Sequence, residues 1–267
     1  MTPESLISNL ALVWASLTEL GDGLAGPDWE RPTDCPGWTV RDQYAHMIGT
    51  ESTLLGEPAP PPHPAPHARN PMGEANEGWV EAVRDRPGPE VLAAFGAVTD
   101  RRLAALRALP AEAWEAAMAT PVGPGTYATF MEIRVFDCWV HEQDIRRAVG
   151  RPGHLDGAVA ELAMGRVTGS LGFVVGKRAA APDGVSVVVA LGDPLARTLA
   201  VQVAGGRAAT VDPPAAPTVR IRTDGETWMR LSAGREDGAD AIAAGRVAFD
   251  GDADLGRSIV AQLAITP

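Results

Sequence analysis

Apolar residues recur at helical spacing over most of the first two thirds of the chain. Leu6, Leu10, Val13, Leu17 and Leu20 fall three or four apart between Pro3 and Asp22, and the stretch stops at the glycine-rich run 21–26. Thr39 and Asp42 have capping-box spacing and open a second helix that runs to about Leu55. Residues 58–71 are mostly Pro, His and Ala and predict an extended loop. Helical periodicity resumes from Met72 to Val83. It continues from Pro89 to Leu109, through Val91, Leu92, Phe95, Val98, Leu103 and Leu106, then from Thr126 to Val149 and from Leu155 to Leu171. Four long amphipathic segments joined by irregular loops predict an antiparallel four-helix bundle.

The texture changes near residues 178–184. Val185–Leu191 is β-branched and apolar, Thr198–Val203 alternates, and Arg207–Val211 and Thr218–Thr223 have the same strand character. Gly205-Gly206 supplies a hairpin turn between two of these strands. Helices are predicted near 225–232 and 237–243, a strand at 247–249 and a closing helix at 253–263. This order predicts a small α+β domain after the bundle, with the division at 1–178 and 179–267.

A chain of 267 residues has room for two cores, and 45% apolar residues is an ordinary globular fraction. The net charge of −11 disfavours nucleic acid or an anionic membrane as the main partner. An uninterrupted run of 18 apolar residues and a secretory signal are both absent from the pattern, and two distant cysteines, Cys35 and Cys138, suit a reducing compartment. A cytoplasmic protein is expected. The single lysine, Lys177, among 23 basic residues gives the composition of a high-GC genome of actinobacterial type.

Chemistry enters through the fourth helical segment. Asp137 and His141 are four apart and so share a helix face, and Asp144 extends the stripe. With His46 from another helix they have the makings of an open three-ligand metal site inside a bundle. The spacing alone is unspecific: Asp42 and His46 share it, and there the helix cap explains the aspartate. An ion pair of Asp137 with Arg134 is the competing explanation, and Asp144 is equally a partner for a ligand or for an arginine.

The run Thr33-Asp-Cys-Pro-Gly-Trp-Thr-Val-Arg-Asp-Gln-Tyr-Ala-His46 resembles the opening of the second helix in the mycothiol-dependent maleylpyruvate isomerase family, of the DinB-like superfamily of metal-binding bundles. Arg134–Ile145 resembles that family's second metal-bearing segment, and His67–Glu81 is similar to the same group. The resemblance extends to the C-terminal part, which it implies to be a sterol-carrier-protein-like domain. It places the metal triad on His46, Asp137 and His141. The best-known isomerases have Glu where this chain has Asp137; one methylene fewer means a closer helix or a weaker site.

The resemblance implies Zn²⁺ (or Ni²⁺) with one open position, and mycothiol as cosubstrate. The thiolate would add to the double bond of maleylpyruvate, the bond would rotate, and the thiol would leave, giving fumarylpyruvate. A mycothiol S-transferase, in which the adduct is the product, shares the first step. A non-catalytic protein that binds a small apolar or acidic ligand is a third possibility.

Arg134 and Arg222 are candidates for contact with substrate, and His67 and Asn70 for contact with the thiol. Arg220, Arg222 and Arg230, around Trp228, form a possible carboxylate-binding group, or simply a solvated face. Cys35 and Cys138 are expected to pack rather than react, and Trp38 and Trp139 to lie in the core. A monomer or homodimer acting on a small electrophile is expected, with neither membrane nor nucleic acid involved.

Overall fold

The computed structural model of the chain describes residues 1–266. It divides into two compact units, Met1–His154 and Leu155 onward. In the first unit α1 (Pro3–Asp22) leads to a short 3-10 turn, Gly26–Glu30, and then to α2 (Val40–Leu54), α3 (Pro71–Val83) and α4 (Gly88–Ala108). A single turn α5 (Ala111–Trp114), the hairpin β1 (Ala117–Thr120) with β2 (Gly123–Thr126), and α6 (Tyr127–Val149) complete it.

The four-helix bundle expected from periodicity is α1, α2, α4 and α6. Helix α1 packs on α4 and α6, α2 packs on α4 and α6, and α3 flanks α2. The predicted stripe of α1 is its buried face: Leu6, Leu10, Val13 and Leu17 are wholly inaccessible. Thr2 caps this helix by accepting from the Ser5 amide, and Pro3 starts it, where the missing N–H costs nothing. Helices α2 and α6 differ from α1 in being buried on nearly every face, including Asp42, Gln43, His46, Glu51, Arg134, His141, Glu142 and Asp144. Polar groups in such places need partners, and those partners build the site described below. Helix α2 also comes close to α3: a Cβ on Gly49 would run into the ring of Trp79.

The end of this unit is tied down. Buried Glu142 accepts from Ser16 Oγ and Arg146 Nε, both at 2.7 Å, and lies 2.7 Å from His154 Nδ1. The Trp139 indole donates to the His154 carbonyl at 2.8 Å.

The second unit opens with α7 (Gly157–Gly169), a single turn α8 (Leu171–Phe173) and a π-helical turn, Val174–Arg178. Periodicity places this helical run with the bundle, whereas its contacts place it with the sheet. The run Gly157–Arg178 is apolar and long enough to cross a membrane, although Glu161 and Arg166 interrupt it. Val159, Ala160, Ala163, Met164 and Val167 are buried at helical spacing, as in a core helix.

The sheet follows: β3 (Ser186–Gly192), β4 (Arg197–Ala204), β5 (Arg207–Thr210), β6 (Val219–Asp224) and β7 (Ala248–Gly251), with α9 (Gly225–Ser232), α10 (Gly238–Ala243) and α11 (Ala253–Val260). Its order is β5-β4-β3-β6-β7, with β3 and β6 parallel and the other pairs antiparallel. The turn at Gly205-Gly206 has φ of 58° and 70°, the left-handed pair that a two-residue hairpin needs. The second unit is thus the expected α+β domain. The hairpin of β1 and β2 was not anticipated, because Ala117–Thr120 and Gly123–Thr126 lack the apolar alternation of a half-buried strand.

Candidate metal centre

The residues 33–46 fold as a stiff entry to α2. Thr39 and Asp42 form the capping box: the Thr39 amide donates to Asp42 Oδ2 at 2.8 Å while Thr39 Oγ1 accepts from the Asp42 amide. Gly37 has φ of 79° and lies under the ring of His67, so a Cβ there would strain the backbone and have to displace that ring. That turn lays the Trp38 indole beside both predicted ligand histidines. Its centroid is 5.1 Å from that of His46 and 5.8 Å from that of His141.

Across from it, α6 carries Asp137 and His141 on one face. His46 Nε2 lies 3.3 Å from Asp137 Oδ2, and His141 Nε2 lies 3.5 Å from Asp137 Oδ1. The imidazole centroids are 4.7 Å apart. One donor atom from each of the three residues falls within 4.8 Å of the others. Two donors each about 2.1 Å from a tetrahedral ion lie about 3.4 Å apart, so these separations, within reach of hydrogen bonds in the metal-free state, are also compatible with a shared ion. His46 Nδ1 is buried with no hydrogen-bond partner among the described residues, and the nitrogen turned to Asp137 is Nε2. The histidine side chains are 8% and 6% exposed and that of Asp137 is 30%, so the group opens to solvent at the carboxylate.

Charge states suit metal binding. Burial is the largest influence on His46 and holds it below its ordinary value, despite the opposite pull of Asp137. Burial pushes the Asp137 carboxyl up, but Arg134, His141 and His46 together outweigh it and hold it well below the usual carboxylate range. At neutral pH the centre therefore offers one neutral imidazole, at His46, and one ionised carboxylate, as ligation requires.

Arg134 is part of this centre but not a free substrate contact. Its Nη1 donates to Asp137 Oδ2 at 2.5 Å, its Nε to Glu51 Oε1 at 2.9 Å and its Nη2 to Cys138 Sγ at 3.4 Å. Burial would lower its guanidinium, but Cys138, Glu51 and Asp137 raise it above its ordinary value, so it is a permanent cation. Asp144 Oδ1 accepts from Arg147 Nη2 at 2.6 Å, and its Oδ2 lies 3.7 Å from His141 Nδ1. Arg147 in turn reaches Asp34 at 2.7 Å. Cys138 is buried, with its thiol pushed up to about 12, first by burial, so it is no nucleophile.

The other predicted residues go elsewhere. His67 Nε2 lies 2.8 Å from Glu77 Oε1, which also accepts from the Trp38 indole N–H. His67 is thus linked to the centre through Glu77 and Trp38. Asn70 caps α3, accepting from the Gly73 amide at 2.9 Å. Arg222 lies on β6 in the second unit, exposed and paired with Asp250. Arg230 pairs with Glu236 at 3.1 Å. Glu51, Arg102 and Glu77 were missed: on one helix at a time a buried charge has the same spacing as a solvated one. The available signal was the nearly non-amphipathic pattern of α2, which marks an internal helix.

Residues 10–146 match the family model described as the mycothiol maleylpyruvate isomerase N-terminal domain, and residues 161–257 match the corresponding C-terminal domain. Among solved structures, the chain resembles a mutant form of the mycothiol-dependent maleylpyruvate isomerase with 15% identity and a TM-score of 0.59, over 94% of this chain and 93% of that one. A second structure of that isomerase gives 16% identity and the same TM-score over 88% and 90%. At such identities the likeness establishes the fold. The chain matches none of the curated proteins with which it was compared.

Proposed function

Because the chain belongs to the mycothiol maleylpyruvate isomerase family, we propose that it is a metal- and thiol-dependent enzyme that isomerises a small cis-configured electrophile of the maleylpyruvate type, with mycothiol as cosubstrate. The observation that carries this reading is the convergence of His46, Asp137 and His141 from two helices onto one small volume. These three residues would hold a divalent ion, for which two imidazoles and a carboxylate favour zinc. When bound, the ion supplies a Lewis-acid charge that keeps a neighbouring thiol deprotonated at neutral pH.

The chain's own residues prepare for that chemistry. His46 is held neutral and Asp137 ionised, so neither has to exchange a proton before ligation. The Trp38 indole, fixed through its N–H to Glu77, closes one side of the two imidazoles and keeps water from it. Asp137 lines the open side, where thiol and substrate would enter. Arg134 serves by holding the Asp137 carboxylate rather than by touching substrate. The thiol sulfur would add to the substrate's double bond, the resulting single bond would rotate, and loss of the thiol would restore the double bond in the trans form. Release of the adduct instead would be S-transfer, which product analysis distinguishes.

The test combines elemental analysis of untagged protein, purified without chelator, with a turnover assay on maleylpyruvate with and without mycothiol. About one ion per chain and thiol-dependent isomerisation are expected. Less than about a tenth of an ion per chain, unchanged by His46→Ala, would remove the metal from the reading. Turnover unaffected by omission of the thiol would remove the cosubstrate.

A further inference from the structure

Behind Asp137 lies a chain of buried charges that no ligand contact requires. Glu51 on α2 and Arg102 on α4 are 1% and 2% exposed, and Arg134 on α6 is 3% exposed. Arg102 Nε donates to Glu51 Oε2 and Arg134 Nε to Glu51 Oε1, each at 2.9 Å, so one carboxylate is shared between two guanidiniums. Arg102 Nη2 is held in turn by the Tyr127 hydroxyl at 3.0 Å and by Met131 Sδ at 3.6 Å. Each guanidinium nitrogen of Arg134 faces an acceptor: Glu51, Asp137 or Cys138. Such a group has no alternative pose, and its Nη1 fixes Asp137 Oδ2 at 2.5 Å.

A buried ion pair is weak evidence of a purely stabilising role, because apolar side chains of similar volume often serve as well. What the pair adds here is orientation. Asp137 is the most exposed of the three donor residues, and Arg134 grips it from behind. We infer that Glu51 and Arg102 are positioning residues for the metal centre. Acting through Arg134, they engage one Asp137 oxygen so that the other, Oδ1 beside His141, is the oxygen presented to the ion. Groups behind the ligands commonly set metal affinity in this way. The inference rests on the proposed metal-dependent function.

The experiment compares the full-length parent with Glu51→Gln and with the double variant Glu51→Met/Arg102→Met. The double variant removes one carboxylate and one guanidinium together, so the buried group stays electrically balanced with Arg134 still paired to Asp137, which the single change does not achieve. Zinc affinity is measured by competition with a chromophoric chelator, and the visible spectrum of the cobalt-loaded protein reports the coordination geometry. The expected result is an affinity about 10–100-fold weaker in a folded variant, with an altered cobalt spectrum. Variants that fold and match the parent in affinity and spectrum overturn the inference and leave the metal reading intact. A parent that binds neither zinc nor cobalt overturns both.

Discussion

Replacing Asp137 by Asn separates the two jobs assigned to this carboxylate. The change keeps size and shape and removes the charge. In the metal-free protein Arg134 would keep its bonds to Glu51 at 2.9 Å and to Cys138, and the side-chain amide oxygen of the variant could still accept from Nη1. A bond charged at both ends thus becomes charged at one end, and no buried cation is orphaned. A hydrogen bond to a charged group contributes about 1.5–3 kcal/mol, and the variant keeps one charged end and so moves only within that range, for an expected loss of about 1 kcal/mol. For a unit of this size that lowers the melting temperature by about 2–4 °C. Zinc affinity should fall much further, by more than the roughly 10–100-fold typical of groups behind the ligands, because a ligand itself has lost its charge. The assays are thermal unfolding of chelator-treated protein and zinc titration against a competing chelator. Parent-like zinc affinity in the folded variant would refute the ligand assignment. A drop in melting temperature well beyond about 10 °C would show that the carboxylate serves the fold first.

Three further outcomes follow from the same structure. His46 is depressed in the folded state, so the unfolded chain takes up the proton first as pH falls; stability of the metal-free protein should be level above about pH 6.5 and decline below it. Asp137 adds to that decline only at lower pH, since its stabilisation is complete above the ordinary carboxylate value and is lost as pH falls towards its depressed one. Circular-dichroism melts of the parent and of His46→Gln across this range check the sign, and a parent whose stability rises on acidification contradicts it. Thiol titration at about pH 8 should label Cys35 in the native protein and both cysteines after unfolding, because Cys138 is buried with its thiol pushed up to about 12. Rapid native labelling of both would show that the packing around Cys138 is wrong. Gly37→Ala should cost about 1–2 kcal/mol for the left-handed backbone, with a further cost for displacing His67; a melting temperature equal to the parent's would disprove the tight turn.

The helices of the bundle were legible because each announces itself locally: the stripe of α1, the Thr39–Asp42 box and the periodicity of α4 all survive intact in the fold. So was the pairing of Asp137 with His141, which depends only on helical pitch. Its partnership with His46 needed the Cys35-Pro36-Gly37-Trp38 entry as well, since nothing in one helix says which neighbour it meets. The charges behind the centre were illegible for the same reason. Glu51, Arg102 and Arg134 come from three helices, and only packing shows that they face one another rather than water. His67 and Asn70 drew attention as polar residues in a loop, but their work is done through Glu77 and at the start of α3. The boundary between units was hidden because α7 has ordinary helical periodicity, which carries no record of the core it joins.

The fastening of His154 onto α6 sets a lower limit on how this chain can be dissected or recombined. A fragment ending at Gly150 would leave Glu142 in the core without the imidazole now 2.7 Å away, and the Trp139 indole N–H without its carbonyl acceptor. Both losses fall on the helix that bears Asp137 and His141, within about one turn of His141. The last four residues of the first unit, though outside any regular element, are thus as much a part of the bundle as its helices. A shuffled or truncated descendant that keeps the His46, Asp137 and His141 cluster intact has to carry the chain through His154.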